Sequence, residues 1–312
     1  MTLMHHYATD TCSQLFVGAR QIQVWQHDIP ALAASNAVLL HGILAVTAAH
    51  YAWREHEPAR RDLFRSRSLH HHALGLPRFQ EMVASASSET AEVIVAYAIL
   101  LSIWVCAIPE VAAEQQQSLD EILTTVEAIR GARAVFHLYR GTIMDSPMGV
   151  FLDRPYPAPP PVPVAEAPGR QNPCVRQVLR CLRDQVLHES DKSAVQQLQM
   201  SLDRYATGLD HNRLAAAWMA SVDDGYWARL RGNQPHAVLV FAYSTLLVHA
   251  SEHECWWISG WSERILRACS DVMSCREVAT TVDWAFHERQ IRAGAGELAD
   301  AVKRADMGES RS

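Results

Sequence analysis

Residues 235–250 constrain the fold of this chain more than any other stretch, because none of their side chains is charged when the histidines are neutral. Apolar residues fall on nearly every side of the helix that this stretch predicts. Pro235 suits a first helical position, where a backbone N–H would be unpaired in any case. A helix that is apolar all round is buried, and about 16 residues are too few to cross a bilayer, which takes roughly 20. The stretch therefore predicts a buried central helix, with Trp257 and Trp261 sharing a face of the helix that follows.

Helical patterns recur along the rest of the chain. About half of the 312 residues are apolar, glycine is sparse, and we find no alternating strand pattern, internal repeat or glycine-rich phosphate loop. This composition favours helices over sheets, so we predict an all-α fold of stacked antiparallel helices. Ser118 and Glu121 have the spacing of a capping box, and Gly131 is expected to interrupt the helix that they begin. The predicted helices span residues 3–16, 31–53, 60–79, 93–108, 119–129, 132–139, 175–189, 192–205, 214–230, 235–250, 257–273 and 278–291.

Prolines divide the chain into two parts. Eight of them fall within residues 155–173, a density that excludes helix and sheet core and is typical of an extended connector. A docking segment for an SH3-type partner is the alternative. We predict a single ligand-binding domain over residues 1–292, with helical layers 1–152 and 174–292 joined by linker 153–173, and a flexible tail at 293–312.

Charge and cysteine content bound the partners and the compartment. The net charge is −6 and the isoelectric point is near 6.2, which argues against a phosphate-binding surface, since such a surface needs clustered Lys and Arg. Nucleic acid is therefore not expected as a direct partner. The seven cysteines match no disulfide scaffold and follow no secretory signal, so we expect reduced thiols in an intracellular protein. Residues 93–108 are the most membrane-like, and we predict a core helix there and no membrane span.

Sixteen histidines raise the question of a metal site. The triplet at 70–72 points its side chains about 100° apart around a helix, which is wrong for sharing one ion. His249, His253 and Cys255 come closest to a ligand set, and surface or hydrogen-bonded histidines are the favoured interpretation. We find no Gly-x-Ser-x-Gly motif, no recognisable nucleophilic cysteine and no aspartate-rich helix for binding diphosphate. We therefore expect no metal and no cofactor.

Aromatic residues near helix ends offer a different chemistry. Tyr and Trp combine a flat apolar body with one hydrogen-bond donor, which suits a polycyclic ligand held by one oriented hydrogen bond. These side chains either fill the core or line a pocket together, and the sequence leaves both readings open. The residues predicted to contact a ligand are Trp218, Trp256, Trp257, Trp261, His253, Tyr97 and Trp104.

Hydrophobic segments in a fixed order make the chain recognisable. They are Leu3-Met4-His5-His6-Tyr7, Ile29-Pro30-Ala31-Leu32-Ala33, Leu39-Leu40-His41-Gly42-Ile43-Leu44-Ala45, Ser68-Leu69-His70-His71-His72-Ala73-Leu74, the apolar stretch 93–108, Ile129-Arg130-Gly131, Leu246-Leu247-Val248-His249 and Trp256-Trp257-Ile258-Ser259-Gly260-Trp261. Each segment is only moderately specific by itself. In this order they resemble the C-terminal regulatory domain of fungal zinc-binuclear-cluster transcription factors of the sterol uptake control type, over roughly residues 3–290.

The resemblance implies an all-α domain that holds a hydrophobic effector, a sterol in the best-understood members, in a pocket of its C-terminal helices. The six-cysteine DNA-binding module of those factors does not occur in this sequence. The chain is therefore either an excised fragment of a nuclear regulator or a free-standing protein, for which a cytoplasmic location is expected.

The missing motifs lead us to predict a stand-alone protein of fungal secondary metabolism. It would enclose terpenoid or polyketide partners and promote a cofactor-free hetero-Diels–Alder cycloaddition, as the hetero-Diels–Alderases of tropolonic sesquiterpenoid pathways do. Joining a quinone methide to a sesquiterpene alkene needs alignment, which can contribute on the order of 7 kcal/mol. Tyr243 and His249 are the predicted catalytic donors to the ketone oxygen.

Two other functions stay open at this stage. One is a regulatory domain that binds a sterol-like lipid without catalysis. The other is a scaffold that dimerises with a full-length regulator through an exposed apolar patch. A homodimer of the chain itself is a further expectation.

Overall fold

The computed structural model describes residues 2–16, 18–85, 87–111, 117–152, 173–206, 211–274 and 282–309. These residues are predominantly helical and contain no β-strand, so the predicted all-α class is confirmed. The chain divides into two compact units by its internal contacts. Unit 1 comprises Met1–Gln115, Thr125–Pro161 and Cys255–Trp257, and unit 2 comprises Gln116–Thr124, Val162–Glu254 and Ile258–Ser312.

Unit 1 holds the helices of the first half of the chain. The last of them, α7, begins with residues that belong to unit 2, up to Thr124. These helices are α1 (Thr2–Thr9), α2 (Ala19–Gln23), α3 (Ile29–Ala34), α4 (Ala37–Arg54), α5 (Pro58–Ala84), α6 (Ala91–Val111) and α7 (Leu119–Ile143). A π-helical turn at Val24–Asp28 joins α2 to α3, and short 3-10 turns lie at Thr11–Gln14 and Pro147–Phe151.

Unit 2 holds the helices of the second half. They are α8 (Pro173–Gln185), α9 (Glu189–Ala206), α10 (His211–Ser221), α11 (Asp224–Arg231), α12 (Pro235–Glu252), α13 (Trp261–Met273) and α14 (Trp284–Glu309). The fully apolar run forms α12, which contacts every other helix of this list. All of its side chains from Ala237 to Val248 are buried, as predicted.

The serine and threonine hydroxyls of α12 donate to carbonyls of the same helix. Ser244 Oγ donates to the Phe241 carbonyl at 2.7 Å, and Thr245 Oγ1 donates to the Ala242 carbonyl at 2.5 Å. A buried polar group without a partner costs free energy, and these bonds to the helix's own backbone remove that cost. The helix is therefore buried on all sides although it carries polar residues.

Helices α4 and α6 pack closely in the core of unit 1. Gly42 makes this approach possible, since a Cβ there would lie 3.0 Å from Tyr97 Cδ2. By length and composition α6 could cross a membrane over Ala91–Pro109, but 67% of that window is buried inside the protein. A single helix of this kind, mostly buried, is weak evidence for a membrane span.

Two predicted helices are each split by a side chain that caps the second part. The predicted 31–53 helix breaks at Asn36, whose side chain accepts a hydrogen bond from Leu39 N at 3.1 Å and starts α4. The predicted 214–230 helix breaks before Asp223, which accepts from Tyr226 N at 2.9 Å and starts α11. Asn and Asp compete with the helical backbone for its own donors, and therefore favour the capping position.

Glycines behave differently from the prediction at two places. Gly131 does not interrupt its helix: α7 runs unbroken from Leu119 to Ile143. One glycine lowers the stability of a helix by about 1 kcal/mol relative to alanine, which is too little to end a helix of this length.

The capping box that starts this helix is confirmed: Ser118 N donates to Glu121 Oε2 at 2.7 Å, and Glu121 N donates back to Ser118 Oγ at 3.3 Å.

The second glycine separates two of the tryptophans. Gly260 has φ 75°, in the left-handed region that favours glycine, and α13 begins only at Trp261. Trp257 lies in the preceding 3-10 turn, Trp256–Ile258. The prediction that Trp257 and Trp261 share one helix face is therefore wrong.

Other predictions concern parts of the chain at or beyond the described ranges. The predicted linker lies outside the described residues apart from its last residue, Pro173, which begins α8, and residues 278–281 of the last predicted helix also lie outside. Helix α14 continues to Glu309, through most of the predicted tail. The single domain with linker 153–173 and a flexible tail stays a prediction.

Candidate ligand-binding site

Trp218 and Trp261 lie in unit 2 and are both buried. Trp218 Nε1 donates to the Ala194 carbonyl at 3.1 Å, and its ring meets the rings of Tyr226 and Trp227 edge to face at 6.0 and 6.1 Å. This arrangement ties α9, α10 and α11 together. Trp218 therefore packs as a core residue with its only donor in use.

Tyr243, a predicted donor, is fully buried on α12 and bonded to a histidine that sequence reasoning missed. Its hydroxyl lies 2.7 Å from His287 Nδ1, and His287 Nε2 lies 3.0 Å from Gln185 Oε1. Because Oε1 only accepts, Nε2 carries the imidazole proton and Nδ1 accepts from Tyr243. Burial lowers the pKa of His287 and raises that of Tyr243, so both groups stay neutral. The chain Tyr243–His287–Gln185 joins α12, α14 and α8.

His249 and His253 lie near the C-terminal end of α12. His249 Nδ1 is 3.5 Å from Glu252, and the two imidazole rings are 5.6 Å apart. Glu252 also accepts from Ser262 N at 2.7 Å and from Ser262 Oγ at 3.0 Å, which caps the first turn of α13. His253 is exposed, so this end of the helix offers a polar surface rather than an enclosed site.

Tyr97 and Trp104 of α6 lie in unit 1, where both are buried. Tyr97 stacks on Phe79 at 4.4 Å. Trp104 stacks on His72 at 3.5 Å with ring planes 8° apart, and its Nε1 donates to Ser68 Oγ at 2.9 Å. Both predicted ligand-binding residues therefore pack against α5.

Trp256 and Trp257 also belong to unit 1, although the sequence before Cys255 and from Ile258 onward belongs to unit 2. The Trp256 ring lies 4.7 Å from the His50 ring and 5.8 Å from the Trp53 ring, both on α4. Trp257 is half-buried against the same hydrophobic core. The structure thus separates the predicted ligand-binding residues into a group in unit 1 and a group in unit 2, and a pocket formed by all of them stays a prediction.

His50 is the centre of an aromatic and polar group in unit 1. Its Nδ1 lies 2.9 Å from Thr11 Oγ1, and its ring lies 5.2 Å from the ring of His6 on α1. Burial lowers the pKa of His50 to about 3; His6 and Arg54 lower it further, and Asp10 opposes them. His50 is therefore a neutral imidazole at physiological pH.

Sequence reasoning missed His50 as a site residue. A histidine in a helical pattern is by default expected at the surface, yet His50 is fully buried, and Thr11 supplies a partner for one of its nitrogens. Its other nitrogen, Nε2, has no partner, and neither have the buried His6 Nε2 and Trp256 Nε1. No local signal in the sequence distinguishes His50 from the other fifteen histidines.

Metal binding finds no support in the described ranges, where no three His, Cys, Asp or Glu side chains are arranged to hold an ion. His41 Nδ1 and His71 Nδ1 lie 3.1 Å apart, within hydrogen-bond distance. Burial lowers the pKa of both histidines, and nearby positive groups lower it further. This pair is a neutral contact between α4 and α5.

A family model described as "Fungal specific transcription factor domain" matches residues 2–147. No curated protein matches the chain. The family match supports the predicted likeness to the regulatory domain of fungal transcription factors, and it spans helices α1 to α7, which include His6 and His50. Over this part, just under half of its length, the chain is similar to the fungal specific transcription factor domain.

Proposed function

We propose that this chain is an effector-binding regulatory domain, which binds a hydrophobic small molecule and alters transcription in response. The observation that carries the proposal is the match of residues 2–147 to the fungal specific transcription factor domain. The net charge of −6 supports a regulatory role rather than direct contact with DNA, since a net negative protein is repelled by the phosphate backbone. A protein with this role acts in the nucleus, which imaging of a fluorescent fusion tests.

The ligand we propose is neutral and largely apolar, of terpenoid, polyketide or sterol-like chemistry. The described interior of unit 1 supports this class: its aromatic rings surround a histidine that burial keeps neutral. Moving an ionic ligand from water to a position among these rings would cost free energy, because aromatic rings do not replace its hydration.

A transcription reporter tests the proposal directly. The full chain is fused to an unrelated DNA-binding domain, and reporter output is measured across a panel of sterols, terpenoids and polyketides. We expect at least one compound to change the output and to stabilise the purified chain, by about 2.7 kcal/mol at a hundredfold excess over its Kd. The DNA-binding domain alone is the control. Output that ignores every compound, together with no thermal stabilisation, would contradict the proposal.

The cycloaddition predicted from the sequence is the second candidate function, and the hydrogen bond of Tyr243 is the argument against it. The Tyr243 hydroxyl donates to His287 Nδ1, so a substrate carbonyl would have to replace His287 as the acceptor. Incubating the protein with a quinone methide and a sesquiterpene alkene separates the two functions. A single-enantiomer adduct would replace the regulatory proposal by an enzymatic one, whereas a racemic adduct at the background rate would leave regulation in place.

A further inference from the structure

Three buried ring nitrogens without a hydrogen-bond partner belong to His50 and to two rings packed against it in unit 1. They are His6 Nε2, His50 Nε2 and Trp256 Nε1, which we call the nitrogen cluster. His50 is 0% exposed, Trp256 is 6% exposed, and the side chain of His6 is 13% exposed. The rings of His6 and Trp256 lie 5.2 and 4.7 Å from that of His50.

Leaving these nitrogens unpaired is expensive. A buried donor or acceptor without a partner costs about 1–3 kcal/mol, and buried polar groups in folded proteins nearly always have a protein or water partner. Three such atoms on adjacent rings therefore point to a shared polar occupant. Isolated packing defects would not be expected to collect around one histidine.

The chemistry of the cluster defines that occupant. Trp256 Nε1 can only donate a hydrogen bond. A neutral imidazole has one donor and one acceptor, and His50 already uses Nδ1 on Thr11, so Nε2 takes the complementary role. A hydroxyl group accepts from the indole and either donates to or accepts from the imidazole, so it fits both tautomers.

Charged groups fit the cluster poorly. Asp10 lies 3.8 Å from His6 Nδ1 and bonds Arg54 at 2.6 Å, so its carboxylate repels a ligand anion while it neutralises the nearest cation. Burial keeps His50 neutral by lowering its pKa to about 3. The Trp256 indole N–H can only donate, so it gives a ligand ammonium no acceptor.

The surroundings are flat and apolar. Tyr51 and Phe64 stack at 3.8 Å, the Tyr51 ring lies 4.8 Å from that of His6, and Trp53 lies 5.8 Å from Trp256. These rings suit the hydrophobic body of a ligand whose polar end reaches the nitrogens.

We propose that the nitrogen cluster binds the hydroxyl group of a neutral hydrophobic ligand, an alcohol or a phenol, with His50 and Trp256 as its hydrogen-bond partners. This inference deepens the proposed function and rests on it, since it names the ligand chemistry that the regulatory domain reads.

Matched probes test the hydroxyl directly. The ¹⁵N-labelled full chain is titrated with 4-butylphenol, butylbenzene and 4-butylbenzoate, which share one apolar body and differ in the polar end. The indole resonance of Trp256 is assigned by its loss in Trp256→Phe. We expect 4-butylphenol to shift this resonance and to bind at least tenfold more tightly than either other probe.

Two variants and a control keep the test decisive. His50→Phe and, should it not fold, Thr11→Val are expected to lose the tenfold preference for 4-butylphenol while butylbenzene still binds. Trp227→Phe is the control, because the Trp227 indole already donates to the Val222 carbonyl in unit 2. This variant keeps the preference.

Three outcomes would overturn the inference. The first is a Trp256 resonance that no probe moves, and the second is equal affinity for 4-butylphenol and butylbenzene. The third is a water molecule that occupies the nitrogen cluster and stays bound when 4-butylphenol is added. The reporter separates this failure from that of the proposed function. A reporter response that survives Trp256→Phe would support the regulatory function and contradict binding at the nitrogen cluster. Binding of 4-butylphenol without any reporter response would support the cluster and contradict the regulatory function.

Discussion

Buried histidines give this protein residues that respond to acid. Burial lowers the pKa of His50 to about 3 in the folded state, so its imidazole stays neutral until the pH falls to that value. In the unfolded chain the pKa of the same group is near 6.5. Burial also lowers the pKa of His72, to about 4. At a pH between the folded and the unfolded pKa of such a histidine, the unfolded state binds more protons than the folded state. The free energy of unfolding therefore falls as the pH falls through this range.

The acid dependence is a prediction about His50 in particular. We expect its contribution to lower the free energy of unfolding by about 1.4 kcal/mol per pH unit between roughly pH 6 and pH 4. Urea unfolding at pH 7, 6, 5 and 4 measures the slope, which His50→Gln should reduce. The exposed His56→Gln is the control and should keep the full slope. Equal slopes for the parent chain and His50→Gln would contradict the argument.

The Tyr243–His287 bond allows a second test at the scale of single residues. Tyr243→Phe leaves His287 Nδ1 buried without a partner, so we expect a loss of about 1–3 kcal/mol in the free energy of unfolding. Removing both groups in Tyr243→Phe/His287→Leu should cost less than the sum of the single changes, because neither leaves the other unpaired. A double-mutant cycle by urea unfolding measures this coupling, and additive losses would show that the bond contributes nothing.

At the scale of elements, glycines show where helices pack and where they do not. A Cβ on Gly75 of α5 would lie 2.6 Å from the Tyr97 hydroxyl and 3.2 Å from His41 Cβ. A Cβ on Gly131 of α7 would meet nothing within 4 Å. The same substitution should therefore have opposite effects on the two helices.

We predict that Gly75→Ala destabilises the protein by about 1–3 kcal/mol through overpacking, which outweighs a gain of about 1 kcal/mol in helix propensity. Gly131→Ala should stabilise it by up to about 1 kcal/mol, since only the propensity changes. Thermal and urea unfolding measure both effects. Tyr97→Phe removes the clashing oxygen and should restore most of the loss in Gly75→Ala. Failure of this rescue would place the clash elsewhere.

At the level of the whole molecule, unit 1 includes one short segment from the second half of the chain, Cys255–Trp257. Trp256 packs on His50 and Trp53 of α4, while the sequence before Cys255 and after Trp257 belongs to unit 2. The stability of unit 1 therefore depends on a residue that follows α12.

Trp256→Ala should consequently lower the stability of unit 1, most of which comes from the first half of the chain. We expect a loss of about 3–5 kcal/mol, with faster amide hydrogen exchange in α1 and α4 rather than in α13. Trp218→Ala is the matched control, because Trp218 bonds the Ala194 carbonyl and should release α9 to α11 instead. Hydrogen exchange with mass spectrometry locates each loss. Deprotection confined to α12 and α13 in Trp256→Ala would contradict the assignment of this residue to unit 1.

The fold class, the burial of α12 and the capping box of α7 can all be predicted from the order of the residues. These features depend on residues close together in the chain: an uncharged run that has to be buried on every side, and Ser118 with Glu121 three positions on. Sequence reasoning missed the breaks at Asn36 and Asp223 because the apolar pattern continues across them, and the capping bond competes only weakly with that pattern.

The candidate site was decided by the tertiary structure alone. Thr11 and His50 are 39 positions apart, and Trp256 joins them from the far half of the chain, so no local pattern relates them. Whether a histidine is charged and exposed or neutral and buried depends on the groups that pack around it. For His50 those groups come from α1, the turn at Thr11, α4 and the turn at Trp256, and only the folded chain brings them together.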